Sequence, residues 1–186
     1  MAEVAKAQSG KKLEVWFQDE MRLGQRGTLR RVWGEKGSRP IVPRQQDFEW
    51  AYTFGAVCPR EGKSAGWVLP DANTEAMSLH LKEISQQVAK DAHGVVVVDR
   101  AGWHRTKSLE IPSNLTTLFL PAYSPELNPI ELLWDWMRRN HLSNRIYEGY
   151  DEIVEASCQS WLAVISDKER LRSMCWFHWI KEAETN

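Results

Sequence analysis

With 186 residues, the chain is long enough for one domain that buries roughly two-thirds of its unfolded surface. Its net charge of −1 does not by itself indicate a nucleic-acid binder, and its three widely spaced cysteines argue against a disulfide framework or a zinc site. Because the N-terminus lacks the apolar core of a signal peptide and no run has membrane-spanning length, we expect a cytoplasmic protein without a membrane partner.

The first third of the chain predicts three antiparallel strands. Residues 12–19 alternate, so that Leu13, Val15, Phe17 and Asp19 share one side of a strand that ends in an acid. Residues 28–33 can return antiparallel, and residues 48–57 provide a third strand that is aromatic and β-branched. The glycine-containing residues 59–70 are predicted to be a loop, with at most a short strand over 67–69.

A buried parallel strand follows a helix. Apolar residues at the helical period predict a helix over residues 74–90, with Asp71 or Asn73 as its cap. The four valines of residues 95–98 suit a strand that is buried on both faces, with Asp99 at its carboxyl end. If the helix is a crossover, this strand runs parallel to the first, and Asp19 and Asp99 lie side by side.

A second helix should begin at Pro129, after a strand over residues 115–120. Ile130, Leu133, Trp134 and Met137 recur at the spacing of one helical face. Glu131 lies on the polar flank of the first turn. It could be the third-position acid of a capping box begun by Asn128, and its spacing alone leaves that role open.

Two more helical patterns end the chain. Val154, Cys158, Trp161 and Ile165 share one predicted face, and Ser166 with Glu169 has the spacing of a capping box for a last helix. These helices should cover one face of the sheet. The elements together predict an α/β fold with a five-stranded mixed sheet flanked by helices.

Basic residues concentrate in one segment. Seven of them stand against a single acid, Glu35: Arg22, Arg26, Arg30, Arg31, Lys36, Arg39 and Arg44. This block could follow a phosphate backbone, or it could be a solvated face, and charge alone does not decide between the two.

The predicted elements bring together Asp19, Asp99 and Glu131. Three carboxylates at close range repel one another unless cations neutralise them. Mg²⁺ favours a few carboxylates together with water and phosphate oxygens. Two such ions can clamp the attacking and leaving oxygens of a phosphoryl displacement, so the sequence points to an acidic metal site.

Four stretches carry more specific patterns. They are Trp16-Phe17-Gln18-Asp19-Glu20, Arg30-x-x-Trp33-x-x-x-Gly37-x-x-Pro40, Val95-Val96-Val97-Val98-Asp99-x-x-x-x-His104 and Leu120-Pro121-x-Tyr123-Ser124-Pro125-x-Leu127-Asn128-Pro129-Ile130-Glu131-x-x-Trp134. They resemble the DDE transposases of insertion sequences related to the mariner superfamily, over most of residues 13–140. The resemblance implies an RNase H-like fold and a catalytic, metal-binding triad of Asp19, Asp99 and Glu131, with two Mg²⁺ ions that Mn²⁺ can replace.

The same resemblance implies a transposase that cuts DNA at transposon ends and joins the freed 3′-hydroxyl to target DNA. Its partners would be DNA and a second copy of the chain, in a homodimer associated with the nucleoid. One rival is a non-catalytic DNA-binding or oligomerisation module, and another is a general RNase H-like nuclease. The intact triad counts against the first, and the Ser-Pro-x-Leu-Asn-Pro-Ile-Glu run counts against the second.

Two departures from the family pattern stand out. Arg100 occupies a position where the family often has Asn, and family members usually carry a helix-turn-helix portion before the catalytic domain. We therefore expect a flexible N-terminus over residues 1–12, a catalytic domain with C-terminal helices over 13–186, and no N-terminal DNA-recognition domain. A separate recognition domain or reading frame is one partner to consider.

Other residues are weaker candidates for DNA contact: Arg26, Arg30, Arg31, Arg39, Trp103 and His104. Trp103 could stack on an unpaired base, although a buried Trp is the commoner case. His104 could contact the scissile phosphate or be a loop His bonded to the backbone. Asp135 is expected to pair with Arg138 or Arg139, and Glu20 alternates away from Asp19, which argues against a role as metal ligand.

Overall fold

The computed structural model describes residues 6, 8, 10–27, 30–42 and 45–180. Its strands are β1 (Lys12–Gly24), β2 (Trp50–Cys58), β3 (Lys63–Leu69), β4 (Ala92–Val98) and β5 (Leu115–Phe119). Its α-helices are α1 (Thr74–Gln87), α2 (Ile130–Met137), α3 (Tyr150–Ile165) and α4 (Lys168–Cys175). The predictions for residues 28–29, for Arg44 and for most of residues 1–9 lie outside the described residues.

The five strands form one mixed sheet in the order β3-β2-β1-β4-β5. β1 pairs antiparallel with β2 and β2 with β3, while β4 runs parallel to both β1 and β5. The predicted mixed sheet and its parallel β1–β4 neighbours are therefore confirmed. Phe17 pairs with Val97, so the two strands bring Asp19 and Asp99 to the same edge of the sheet.

The predicted strand over residues 28–33 is wrong for the residues that are described, because residues 30–33 form no strand. β1 instead continues to Gly24 and pairs directly with β2. The described residues between β1 and β2 contain no buried apolar side chain, and Trp33 and Ile41 are almost fully exposed. The third antiparallel strand is β3, in the segment that was predicted to be mostly loop.

α1 covers one face of the sheet and connects β3 to β4, as a crossover helix should. The Asn73 side chain caps it by accepting a hydrogen bond from the Ala76 amide at 2.9 Å. Beneath it, Trp16, Phe54, Met77 and other residues form a buried apolar cluster. In the part of the chain that the structure describes, no helix is long and apolar enough to cross a membrane.

α2, α3 and α4 cover the opposite face, which confirms the predicted position of the C-terminal helices. The predicted face of α3 is correct for Trp161, which is buried, and for Val154 and Ile165, which pack against the core. It is wrong for Cys158, which is exposed, while Ser157 and Ser160 are buried instead. The Ser160 hydroxyl donates to the Ser157 carbonyl, so this buried hydroxyl has a hydrogen-bond partner. The cap of α4 also differs: Asp167, rather than Ser166, accepts from the Arg170 amide.

Two glycines let the helices approach the sheet closely. Gly55 and Gly66 face each other across β2 and β3. A Cβ atom on Gly55 would lie 2.5 Å from the Trp134 ring, and one on Gly66 would lie 2.6 Å from the Trp161 ring. Gly66 in β3 therefore does not mark a turn. Together with Gly55, it leaves the space in which the Trp134 and Trp161 indoles pack on the sheet.

Candidate functional site

A cleft of about 580 Å³ opens at the carboxyl end of β4, beside the part of β1 that extends beyond its pairing with β4. Asp19, Asp99 and Glu131 all line it, although they come from two strands and a helix that are far apart in sequence. The structure thus brings together the three acids that the sequence analysis selected. The remaining wall is formed by the loops that follow β4 and β5, including Arg100, Arg105 and Tyr123.

Asp19 is held between the sheet and α2. Its Oδ2 accepts a hydrogen bond of 2.9 Å from Trp134 Nε1, and that indole rests against Gly55, the residue paired with Asp19 across β1 and β2. Burial and the charge of Glu131 raise the pKa of Asp19 to about 7, against the opposing effect of the Trp134 hydrogen bond. Asp19 and Glu131 are therefore close enough to destabilise each other when both are charged.

Glu131 stands in the first turn of α2, which is fixed to β1 by Asn128. The Asn128 side chain donates to the Gln18 carbonyl at 2.9 Å, one residue before Asp19. Asn128 also accepts from the Glu131 amide through its carbonyl, yet the Glu131 carboxylate has no hydrogen bond with any described residue. The capping box is therefore incomplete. Burial raises the pKa of Glu131, while nearby Arg138 lowers it.

Asp99 differs from the other two acids. Its Oδ1 accepts from His104 Nδ1 at 2.8 Å and from the Ala101 amide at 2.9 Å. The His104 hydrogen bond, against partial burial, lowers the pKa of Asp99. The expected repulsion thus acts on Asp19, through the charge of Glu131, while Asp99 is stabilised in its charged form.

His104 links Asp99 to a fourth acid that sequence reasoning set aside. Its Nε2 lies 3.1 Å from Glu20 Oε1, so both ring nitrogens donate to carboxylates. Burial lowers the pKa of His104, but the hydrogen bonds and charges of Asp99 and Glu20 raise it to about 9. Trp103 Nε1 reaches the same Glu20 oxygen at 3.4 Å. In this arrangement His104 is buried, and Trp103 is half-buried against the apolar cluster beneath α1.

Two arginine side chains also line the cleft. Arg100 is exposed, and its Nε donates to the Leu120 carbonyl at 3.0 Å, which ties the loop after β4 to the end of β5. Arg105 lines the same cleft and is exposed. Arg105 was not among the sequence candidates, because nothing in its local pattern shows that the loop folds back over the acids.

Some arginines of the basic segment contact neighbouring side chains, and others are exposed. Arg30 forms an ion pair with Asp135, which Arg139 also contacts at 2.7 Å as the sequence predicted. Arg26 lies over the Phe48 ring, 4.0 Å from its centroid. Arg31 and Arg39 are exposed on the long connection between β1 and β2. These two are the candidates most available to an outside partner.

The donor set suits a hard divalent cation, because Mg²⁺ prefers carboxylate oxygens. As they stand, no three His, Cys, Asp or Glu side chains among the described residues are grouped closely enough to hold an ion. The chemistry nevertheless fits. Burial makes the charged forms of Asp19 and Glu131 unfavourable, and the charge of Glu131 adds to this effect on Asp19, so a bound cation would stabilise both carboxylates. The Asp99 side chain is about half exposed, and its Oδ2 accepts from no described residue.

Comparison with solved structures supports the fold. Mos1 mariner transposase structures match: a paired end complex with Mn (TM-score 0.68, 15% identity, 92% of this chain and 54% of that one) and the Strand Transfer Complex (0.63, 14%, 99% and 56%). A further match is a paired-end complex with the left transposon end (0.65, 16%, 93% and 54%). The predicted RNase H-like fold is thereby confirmed. The chain spans about half the length of these Mos1 chains.

Sequence comparison gives the family. Uncharacterized protein y4pE/y4sA of Sinorhizobium fredii (strain NBRC 101917 / NGR234) is 51% identical over 130 residues, which cover 70% of this chain and 96% of that protein. A family model described as DDE superfamily endonuclease matches residues 14–154, a span that includes Asp19, Asp99 and Glu131. The chain therefore belongs to the DDE superfamily of endonucleases.

Proposed function

We propose that this chain is a transposase catalytic domain that hydrolyses phosphodiester bonds at transposon ends and joins the freed 3′-hydroxyl to target DNA. The observation that carries the proposal is that Asp19, Asp99 and Glu131 line one cleft at the carboxyl end of β4, where its parallel pairing with β1 stops. Open α/β sheets commonly place their chemistry at this edge. Membership of an endonuclease family agrees with that placement.

In this proposal the three carboxylates hold two divalent ions, Mg²⁺ or Mn²⁺. When bound, such ions supply Lewis-acid stabilisation of the attacking and leaving oxygens of an in-line displacement. Trp134 orients Asp19 through its 2.9 Å hydrogen bond, and Asn128 sets the distance between β1 and the start of α2. Water is the first nucleophile and the 3′-hydroxyl of DNA is the second, so no covalent protein intermediate is required.

DNA is the proposed partner of this cleft. Arg100 and Arg105 stand beside the acids, where guanidinium groups can bind the phosphates on either side of the scissile bond. The Mos1 matches include paired-end complexes, one of them with the left transposon end, which supports transposon ends as the substrate. The proposed active assembly is a homodimer. We propose a cytoplasmic protein that joins the nucleoid when it binds DNA.

A plasmid-nicking assay tests the proposal. The chain should convert supercoiled plasmid to the nicked form with Mg²⁺ or Mn²⁺, and EDTA should stop the reaction. Asp19→Asn, which keeps the size of the side chain but removes its charge, should be inactive under the same conditions. Nicking that persists in EDTA, or in the Asp19→Asn variant, would contradict the assignment of the triad.

The exposed arginines should bind DNA through its backbone. Arg31 and Arg39 lie on a connection whose described residues contain no helix that could enter a groove, so charge neutralisation should dominate their contribution. Replacing both by Ala should reduce the slope of log affinity against log salt concentration by about 2. Salt titrations of binding to a labelled duplex measure that slope.

Two exposed lysines on the far side of the sheet provide the control. Lys82 on α1 and Lys90 just beyond it carry the same total charge as Arg31 and Arg39. Their replacement by Ala should leave the salt slope close to that of wild type. If the salt slope of the arginine variant equals that of wild type, the basic segment is a solvated face that does not contact DNA.

A further inference from the structure

Glu20 is a buried acid that the proposed chemistry does not use. It follows Asp19 on β1, and because side chains alternate along a strand it lies on the opposite face of the sheet. Its side chain is 7% exposed, whereas that of Asp99 is 53% exposed. A buried carboxylate is costly unless hydrogen bonds or a charge partner compensate it, so its partners indicate its role.

The hydrogen bonds that Glu20 accepts from the described residues converge on one oxygen. Oε1 accepts from Gln18 Nε2 at 2.8 Å, from His104 Nε2 at 3.1 Å and from Trp103 Nε1 at 3.4 Å. The His104 side chain is 1% exposed and is held on both sides by carboxylates. The ring is therefore fixed in one orientation, with Nδ1 directed at Asp99.

His104 in turn determines which oxygen of Asp99 is available. Oδ1 is occupied by His104 Nδ1 at 2.8 Å and by the Ala101 amide, while Oδ2 accepts from no described residue. A half-exposed carboxylate at the end of a strand would otherwise sample several rotamers and lose that freedom on binding a ligand. Fixing it in advance reduces the cost of binding.

We infer that Glu20 and His104 are a positioning pair that holds the Asp99 carboxylate from the opposite face of the sheet and thereby sets the divalent-ion affinity of the cleft. The inference rests on the proposed function, because it takes Asp99 to be a metal ligand. Partners that orient the ligands of a metal typically change its affinity by about 10- to 100-fold.

The test compares two buried acids of the same strand. Glu20→Gln keeps the shape of the side chain but weakens the link to His104. Glu14→Gln is the matched control, since Glu14 is also buried on β1 and pairs with Lys63 at 2.7 Å, away from the cleft. Mn²⁺ binding to the full chain without DNA is measured from the electron paramagnetic resonance signal of free Mn²⁺. Plasmid nicking is then followed as a function of Mn²⁺ concentration.

The positioning role has a distinct signature. Glu20→Gln should weaken Mn²⁺ binding about 10-fold or more and raise the Mn²⁺ concentration for half-maximal nicking, with the rate at saturating Mn²⁺ largely kept. Glu14→Gln should change neither quantity. In a His104→Asn background, where the amide can still donate to Asp99 but no longer reaches Glu20, Glu20→Gln should add no further loss.

Other results would overturn the inference. Unchanged Mn²⁺ affinity in Glu20→Gln would do so, as would a lower maximal rate without a shift in half-saturation, which indicates a merely structural role. If Glu20→Gln does not fold, His104→Asn is compared with His104→Ala: tighter Mn²⁺ binding by the Asn variant supports the inference, and equal loss refutes it. A wild-type chain that binds no Mn²⁺ and cuts no DNA would refute the proposed function itself.

Discussion

Replacing Glu131 by Gln is expected to abolish divalent-ion-dependent nicking of DNA while leaving the fold intact. The amide fills the same space in the first turn of α2 but removes one of the three charges that face the cleft. Lewis-acid stabilisation by a bound ion is worth several kcal/mol, so its loss should slow nicking by roughly a thousandfold or more. Single-turnover plasmid assays at saturating Mn²⁺ measure the effect.

Glu126 supplies the control for this change. It is an exposed acid in the short 3₁₀ turn just before α2, and it does not line the cleft. Glu126→Gln should therefore nick DNA at the wild-type rate. Thermal unfolding should show Glu131→Gln to be at least as stable as wild type in EDTA, since burial raises the pKa of Glu131 and its charge is unfavourable there. If the Glu131→Gln variant retained nicking, Glu131 could not be a catalytic residue of this site.

Gly55→Ala is expected to destabilise the protein by about 1–3 kcal/mol, the usual cost of overpacking. The added methyl group would lie 2.5 Å from the Trp134 ring and 2.9 Å from the Trp161 ring. The two indoles are packed against each other, with centroids 5.8 Å apart, and neither can move freely. For a domain of this size, that loss lowers Tm by roughly 2–12 °C.

A second effect should accompany the lower Tm. Because Trp134 holds Asp19 through Nε1, displacing its ring should weaken Mn²⁺ binding even at temperatures where the variant is folded. Gly102→Ala is the control, since a Cβ atom there would meet nothing within 4 Å. A Gly55→Ala variant with wild-type Tm and wild-type Mn²⁺ affinity would show that the contact between sheet and helix is not as tight as described.

The acids of the cleft could be predicted because strong local signals surround each of them. The valine run before Asp99 has few alternatives to a buried strand, and Asn128-Pro129 marks the start of a helix. The alternation before Asp19 gave its face correctly. These signals depend on neighbouring residues, which is why the sequence alone sufficed to bring the three positions together.

Features that depend on distant contacts could not be predicted in this way. Gly66 resembled a turn residue, but it is the place where Trp161 meets the sheet. Ser157 and Ser160 lie outside the predicted apolar face of α3, but both are buried, and the Ser160 hydroxyl donates to a carbonyl within the helix. Glu20 was set aside because it points away from Asp19, and only the fold of the loop after β4 brings His104 to it.

The most direct test of the central claim is a crystal of the wild-type chain soaked in Mn²⁺, with data collected for anomalous scattering. We expect anomalous density among the carboxylates of Asp19, Asp99 and Glu131, with His104 Nδ1 still hydrogen-bonded to Asp99 Oδ1. Density located elsewhere, or none at these three acids at a Mn²⁺ concentration that supports nicking, would contradict the central claim.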